Sequence, residues 1–150
     1  MGKINAHFPK QGWLGIILIA IFWWVNWGTD GVRSHWAFFP LWAGYILTAD
    51  AFAVLNDRPS LATNTRSFIL LFVLSAPVWW VFELINDWVH YWEYLPADRF
   101  EPLERFLWST LSFSTVIPAV FVTANLLSGF PWFQQHHFKL KFGHTRAHRT

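Results

Sequence analysis

Four apolar runs, at about 13–27, 36–55, 67–89 and 106–128, dominate the chain, and polar stretches of only eight to sixteen residues separate them. Such runs leave few architectures open. Hydrocarbon offers no water to backbone N–H and C=O groups, so a crossing segment must satisfy them internally as a helix or within a closed barrel. Barrel strands are about ten residues long, and these runs are longer. The first, WLGIILIAIFWWVNW, falls short of the roughly 20 residues of a perpendicular span; its tryptophan-rich end suits the headgroup region. The expected fold is all-α: an integral membrane four-helix bundle over residues 1–133, followed by a basic surface tail at 134–150.

Composition supports that class. The chain is 54% hydrophobic and 13% charged, against about a quarter charged in soluble domains. It has no cysteine, which excludes disulfides, thiolate metal ligands and cysteine nucleophiles. A net charge of +2 points to nucleic acid only until the charges are located, because they sit in short ends and turns. No glycine-rich phosphate loop or Ser/His/Asp ordering is present. The N-terminus lacks a cleavable signal pattern, so the first run is read as a retained span.

The basic residues also orient the bundle. Lys3, Lys10, Arg58, Arg66, Lys139, Lys141, Arg146 and Arg149 fall on one side of four spans, and Arg33, Arg99 and Arg105 on the other. Eight against three places both termini in the cytoplasm by the positive-inside rule, in what reads as a bacterial inner (cytoplasmic) membrane.

One apolar run carries a wet stripe. Glu83, Asn86, Asp87 and His90 stand at i, i+3, i+4 and i+7, with Trp79 and Trp80 a turn earlier, and so share one helix face. Val78, Val81, Phe82, Ile85 and Val89 occupy the other face, and Pro77 is expected to kink the helix just before the stripe. An ionisable group inside a membrane costs a few kcal/mol and marks function by default. At 1.5 Å per residue, Asp50 lies at the inner level and cannot pair with Glu83. It is read as snorkelling or capping there. Asn26, Trp92 and Glu104 converge with the stripe on the outer level.

Glu83 and Asp87 repel when both are ionised, so one should hold its proton, giving an acid/base pair able to protonate an alkene or polarise a carbonyl. Glu104 supplies a second acid. Trp79, Trp80, Asn86, His90, Trp92 and Asn26 would line the ligand pocket. The plain structural alternative is a polar network, Glu83 to Asn26 or to a hydroxyl of the fourth run, that fixes helix packing. Asp87-x-x-His90 occurs once, and a di-iron bundle needs two such copies, so no metal is assigned. His90 could instead ligate the magnesium of a chlorin pigment, beside the plainer reading of a hydrogen-bonded interfacial histidine. His136, His137, His144 and His148 belong to the basic tail, where contact with anionic membrane lipids suffices.

The order Asp87, Trp92, Pro96, then Pro102-Leu103-Glu104 followed by Phe106-Leu107-Trp108, resembles the small membrane lycopene cyclases of carotenoid synthesis. The likeness covers the third and fourth runs. That family has a Pro-x-Glu-Glu motif opening a span, and the second acid of the motif is Arg105 here. The resemblance implies a pocket shaped for an isoprenoid more than it implies cyclisation. The residues thus lead to a long apolar ligand, isoprenoid or carotenoid-like, bound among rings and acids in the outer half of the bundle, with its modification there left open. The rival is a non-catalytic accessory subunit that packs against a larger photosynthetic or respiratory membrane complex and its pigments or lipids.

Overall fold

A computed structural model describes residues 7–28, 33–94 and 100–135, and among these the regular structure is entirely helical. Helix α1 is Lys10–Gly28 and α2 is Arg33–Leu55. A 3-10 turn at Leu61–Thr63 precedes α3, Thr65–Val89. Then come α4, Pro102–Phe113, α5, Val116–Leu127, and the short α6, Pro131–Gln135. Four segments, Lys10–Gly28, Trp36–Leu55, Thr65–Val89 and Pro102–Leu127, are long and apolar enough to cross a membrane. The tail expected at 134–150 lies outside the described residues from 136 onward, as do Pro96 and Arg99.

Helix α2 is the centre. It packs on α1 along one side and on α5 along another, while α3 rests on α5 and α4. The α1–α2 contact is close because both faces are made of small residues. A Cβ added at Gly12 would overlap Ala51 and Phe8, and one at Gly15 would meet the Gly44 carbonyl oxygen at 2.6 Å. Small residues let helix backbones approach in this way. The α2–α5 core is Ile46, Ala49, Ala119 and Val122, walled by Leu61, Phe68, Phe72 and Leu126. Thr123 donates its proton to the Ala119 carbonyl, so the Tyr45 hydroxyl donates to Thr123 Oγ1, at 2.6 Å.

Asp50 is fully buried rather than snorkelling. Its carboxylate accepts from the Ser60 hydroxyl and from the Leu61 N–H at 2.7 Å, which fixes the start of the 3-10 turn. Just before it, α2 ends on Asp57 at φ 58°. The Arg58 N–H reaches the Ala53 carbonyl and the Asp57 N–H the Val54 carbonyl, the paired bonds of a Schellman C-cap.

The fourth run is not one helix. Pro118 has no N–H for the Ser114 carbonyl, and the hydroxyls of Ser114 and Thr115 turn back onto the carbonyls of Leu111 and Ser112. The Phe113 carbonyl and the Ile117 N–H, which a continuous helix would join, are bridged instead by the buried Ser75 of α3. Its hydroxyl donates to Phe113 O at 2.5 Å and accepts from Ile117 N at 3.0 Å. A side chain inserted into the ladder is a recognised cause of a helix break. By contrast, α3 is continuous through Pro77.

Candidate functional site

Helix α3 turns its polar side inward. Ser75, Ala76 and Asn86 are buried and Trp79, Trp80 and Glu83 half-buried, whereas Val78, Val81, Phe82, Ile85 and Val89 are exposed. A soluble helix does the reverse. Exposed rings continue the outward apolar surface, with Trp88 at 88% and Tyr91 at 83%.

The end of α3 is built by Asn86. His90 adopts the left-handed conformation, φ 50°, which turns the chain back on its own helix. Asn86 Oδ1 then accepts from the N–H groups of Tyr91 and Trp92 at 3.0 and 3.1 Å, and Nδ2 donates to the Trp92 carbonyl at 2.9 Å. Asn86 is therefore a positioning residue. It also lines the cavity, with its amide bonding largely engaged in this turn.

The folded-back segment lays two aromatic side chains over Glu83. Its Oε1 accepts from Tyr94 OH at 2.6 Å and from the indole N–H groups of Trp79 and Trp92, each at 3.2 Å. No donor reaches Oε2 among the described residues. Three donors thus converge on a single carboxyl oxygen, which only accepts. Burial first, and the hydrogen bond to Glu83 second, hold the Tyr94 phenol above its ordinary value of 10.0. The phenol consequently remains a donor at neutral pH. Rings lock the arrangement in place: Phe113 lies 5.3 Å from Trp80, 6.0 Å from Trp79 and 6.4 Å from Tyr94. Trp80 also stacks on Phe106 at 5.1 Å and donates to Thr110 Oγ1 at 3.1 Å.

These groups form one wall of an open cavity of about 1260 Å³ between α3 and α4, reached also by Asn26 of α1 and Phe38 of α2. Of the residues singled out from sequence, Glu83, Asp87, Trp79, Trp80, Asn86, His90, Trp92 and Asn26 all line it. Glu104 does not. It is exposed among Leu103, Leu107 and Leu111 in a separate shallow groove, and the next residue, Arg105, faces the cavity. The register of α4 decides this, since residues one apart on a helix point about 100° apart. Nor are Glu83 and Asp87 hydrogen-bonded to each other: Asp87 is exposed, and the donors of Glu83 come from Trp79, Trp92 and Tyr94. The alternative network, Glu83 to Asn26 or to a hydroxyl of the fourth run, is likewise replaced by these three, and Thr110 serves Trp80.

Sequence reasoning missed Tyr94, Phe113 and the cavity-facing side of Arg105. Tyr94 follows Glu83 by eleven residues across a helix end, a relation that no periodicity reports; the sole hint was an asparagine four residues before a ring-rich loop. Among the described residues no three His, Asp or Glu side chains are grouped to hold a metal ion. His90 stands exposed at the cavity's edge. Comparison with protein-family models, with curated proteins and with solved structures finds no match.

Proposed function

We propose that this chain is an integral membrane protein, with both termini cytoplasmic, that binds a long apolar ligand of isoprenoid or carotenoid-like type in the cavity between α3 and α4. The observation that carries the reading is the cavity itself: about 1260 Å³, ring-lined, with one organised carboxylate in its wall. Ordinary ligand pockets hold about 300–1,000 Å³ and are mostly apolar with a few fixed polar groups. This one has that chemistry and room for a longer chain. Any acid/base step would fall to Glu83, whose Oε2 is left without a donor among the described residues, rather than to Glu104 on the other side of α4. The lycopene cyclase resemblance agrees on the ligand class, while Arg105 in place of the family's second acid argues against the same reaction.

The test is to purify the protein from its native membrane in mild detergent, extract it with organic solvent, and identify the extract by absorption and mass spectrometry. A long-chain apolar compound near one per chain is the expected result. A clean extract, together with no saturable quenching of tryptophan fluorescence by geranylgeraniol, would refute the reading. A second reading, an accessory subunit of a larger complex, draws on the outward rings Trp24, Trp27, Trp88 and Tyr91. It predicts stoichiometric co-purifying subunits and an empty cavity. Orientation is tested separately: a cysteine at Glu93 should react with an impermeant reagent added outside intact cells, and reaction only after permeabilisation would invert the topology.

A further inference from the structure

The cavity's polar groups are not evenly shared between acceptors and donors. Glu83, Asp87 and Glu93 line it against a single guanidinium, Arg105, among the described residues. Of these acids, Glu83 is the one the fold holds rigidly, by three donors that all meet the same oxygen. Holding the carboxylate through one oxygen leaves the other, Oε2, as the acceptor with no donor among the described residues. The rings of Trp79, Trp92 and Tyr94 are those that hold Oε1, and Trp80 and Phe113 line the same cavity. Carboxylate plus aromatic rings is the combination that attracts organic cations, through charge and through the ring quadrupole. An uncharged hydrocarbon end would instead desolvate Glu83 Oε2 and return no bond, at a cost that selects against it.

We infer that the ligand of this cavity carries an ammonium-type cation at the end that meets Glu83, which donates to Oε2 while its apolar chain runs along the rings between α3 and α4. This rests on the binding reading given above and specifies the head group that the reading leaves open. It also assigns separate tasks. Trp79, Trp92 and Tyr94 position the carboxylate, Asn86 positions two of those three through the turn at 90–92, and Glu83 alone bonds the head.

The experiment compares geranylgeranylamine with geranylgeraniol, which share a chain and differ in the charge of the head. Each is titrated into the full chain in phosphatidylcholine nanodiscs at pH 7, with tryptophan fluorescence as the readout and empty discs as the blank. The amine should bind at least about tenfold more tightly than the alcohol, a difference of about 1.4 kcal/mol. Glu83→Gln should bring the two to parity. Equal affinities in the unaltered protein would overturn the inference while leaving the apolar-ligand reading standing. No saturable binding of either compound would overturn both. A preference for the amine that survives in a folded Glu83→Gln protein would remove Glu83 as its source. Should that variant fail to fold, Glu83→Asp serves in its place: it keeps the charge, and its amine preference should persist.

Discussion

Asn86 offers the sharpest trial of how the site is assembled. Its side chain makes three bonds to the segment that follows α3, two accepted and one donated, and it is itself buried at 7% exposure. Net contributions of about 0.5–1.5 kcal/mol for each bond, with Tyr91 largely in contact with solvent, put the cost of Asn86→Ala at about 2–4 kcal/mol. Asn86→Asp keeps both accepted bonds but sets a carboxylate oxygen against the Trp92 carbonyl, so it should fall between the two. The effect should spread. Without the turn, Trp92 and Tyr94 have no reason to remain over Glu83, and the Tyr94 bond becomes nearly worthless. Tyr94→Phe should therefore destabilise the unaltered protein by about 1 kcal/mol and the Asn86→Ala protein by much less, a coupling well above the ~0.5 kcal/mol scatter of independent sites. Unfolding in mixed micelles, followed by tryptophan fluorescence, measures all four corners of the cycle. An Asn86→Ala protein within ~0.5 kcal/mol of the parent, or additive effects of the two substitutions, would refute the claim that Asn86 builds the site.

Three more outcomes follow from the fold. Ser75→Ala removes the bridge between Phe113 O and Ile117 N and should cost about 1–3 kcal/mol, read by the same unfolding assay; a cost under ~0.5 kcal/mol would show that the break is held by other means. Asp57→Gly relieves a left-handed residue at φ 58° and should stabilise by about 0.5–1 kcal/mol; a loss of stability would mean that the aspartate contributes more than its backbone costs. Because the Tyr94 phenol is raised above 10.0 in the folded protein, its contribution is complete below that pH and is lost as pH climbs through the raised value. Ultraviolet titration should show one tyrosine ionising late, and Glu83→Gln should move it earlier.

Much of this was legible in the chain and the rest was not, for physical reasons. The four apolar segments and the inward stripe at 79, 83 and 86 follow from length and period, which are local properties. The break at Ser114–Thr115 was only half legible: Pro118 and the hydroxyl cluster are visible in sequence, but Ser75, which completes the break, comes from another helix forty residues away. Among the site residues, helix spacing brought Glu83 and Asn86 to one face but could not distinguish a side chain that meets a ligand from one that closes a turn. Glu104 lines a separate groove from Glu83 because its rotation about α4, which sequence spacing from another helix does not report, turns it away from the cavity.

The broken fourth segment also bears on the order in which the protein can be made. Before α4 and α5 dock on Ser75, Phe113 O and Ile117 N lack the side chain that bridges them, and Pro118 offers the Ser114 carbonyl no N–H. In hydrocarbon each unsatisfied backbone group costs several kcal/mol. If these segments cross a membrane as proposed, α4–α5 is thus a poor candidate for independent insertion, while α1 and α2, closed on each other through Gly12, Gly15 and Gly44, can settle first as a hairpin. The third helix then acts as a template within the chain, and the last segment completes its own hydrogen bonding only by docking on a neighbour already in place.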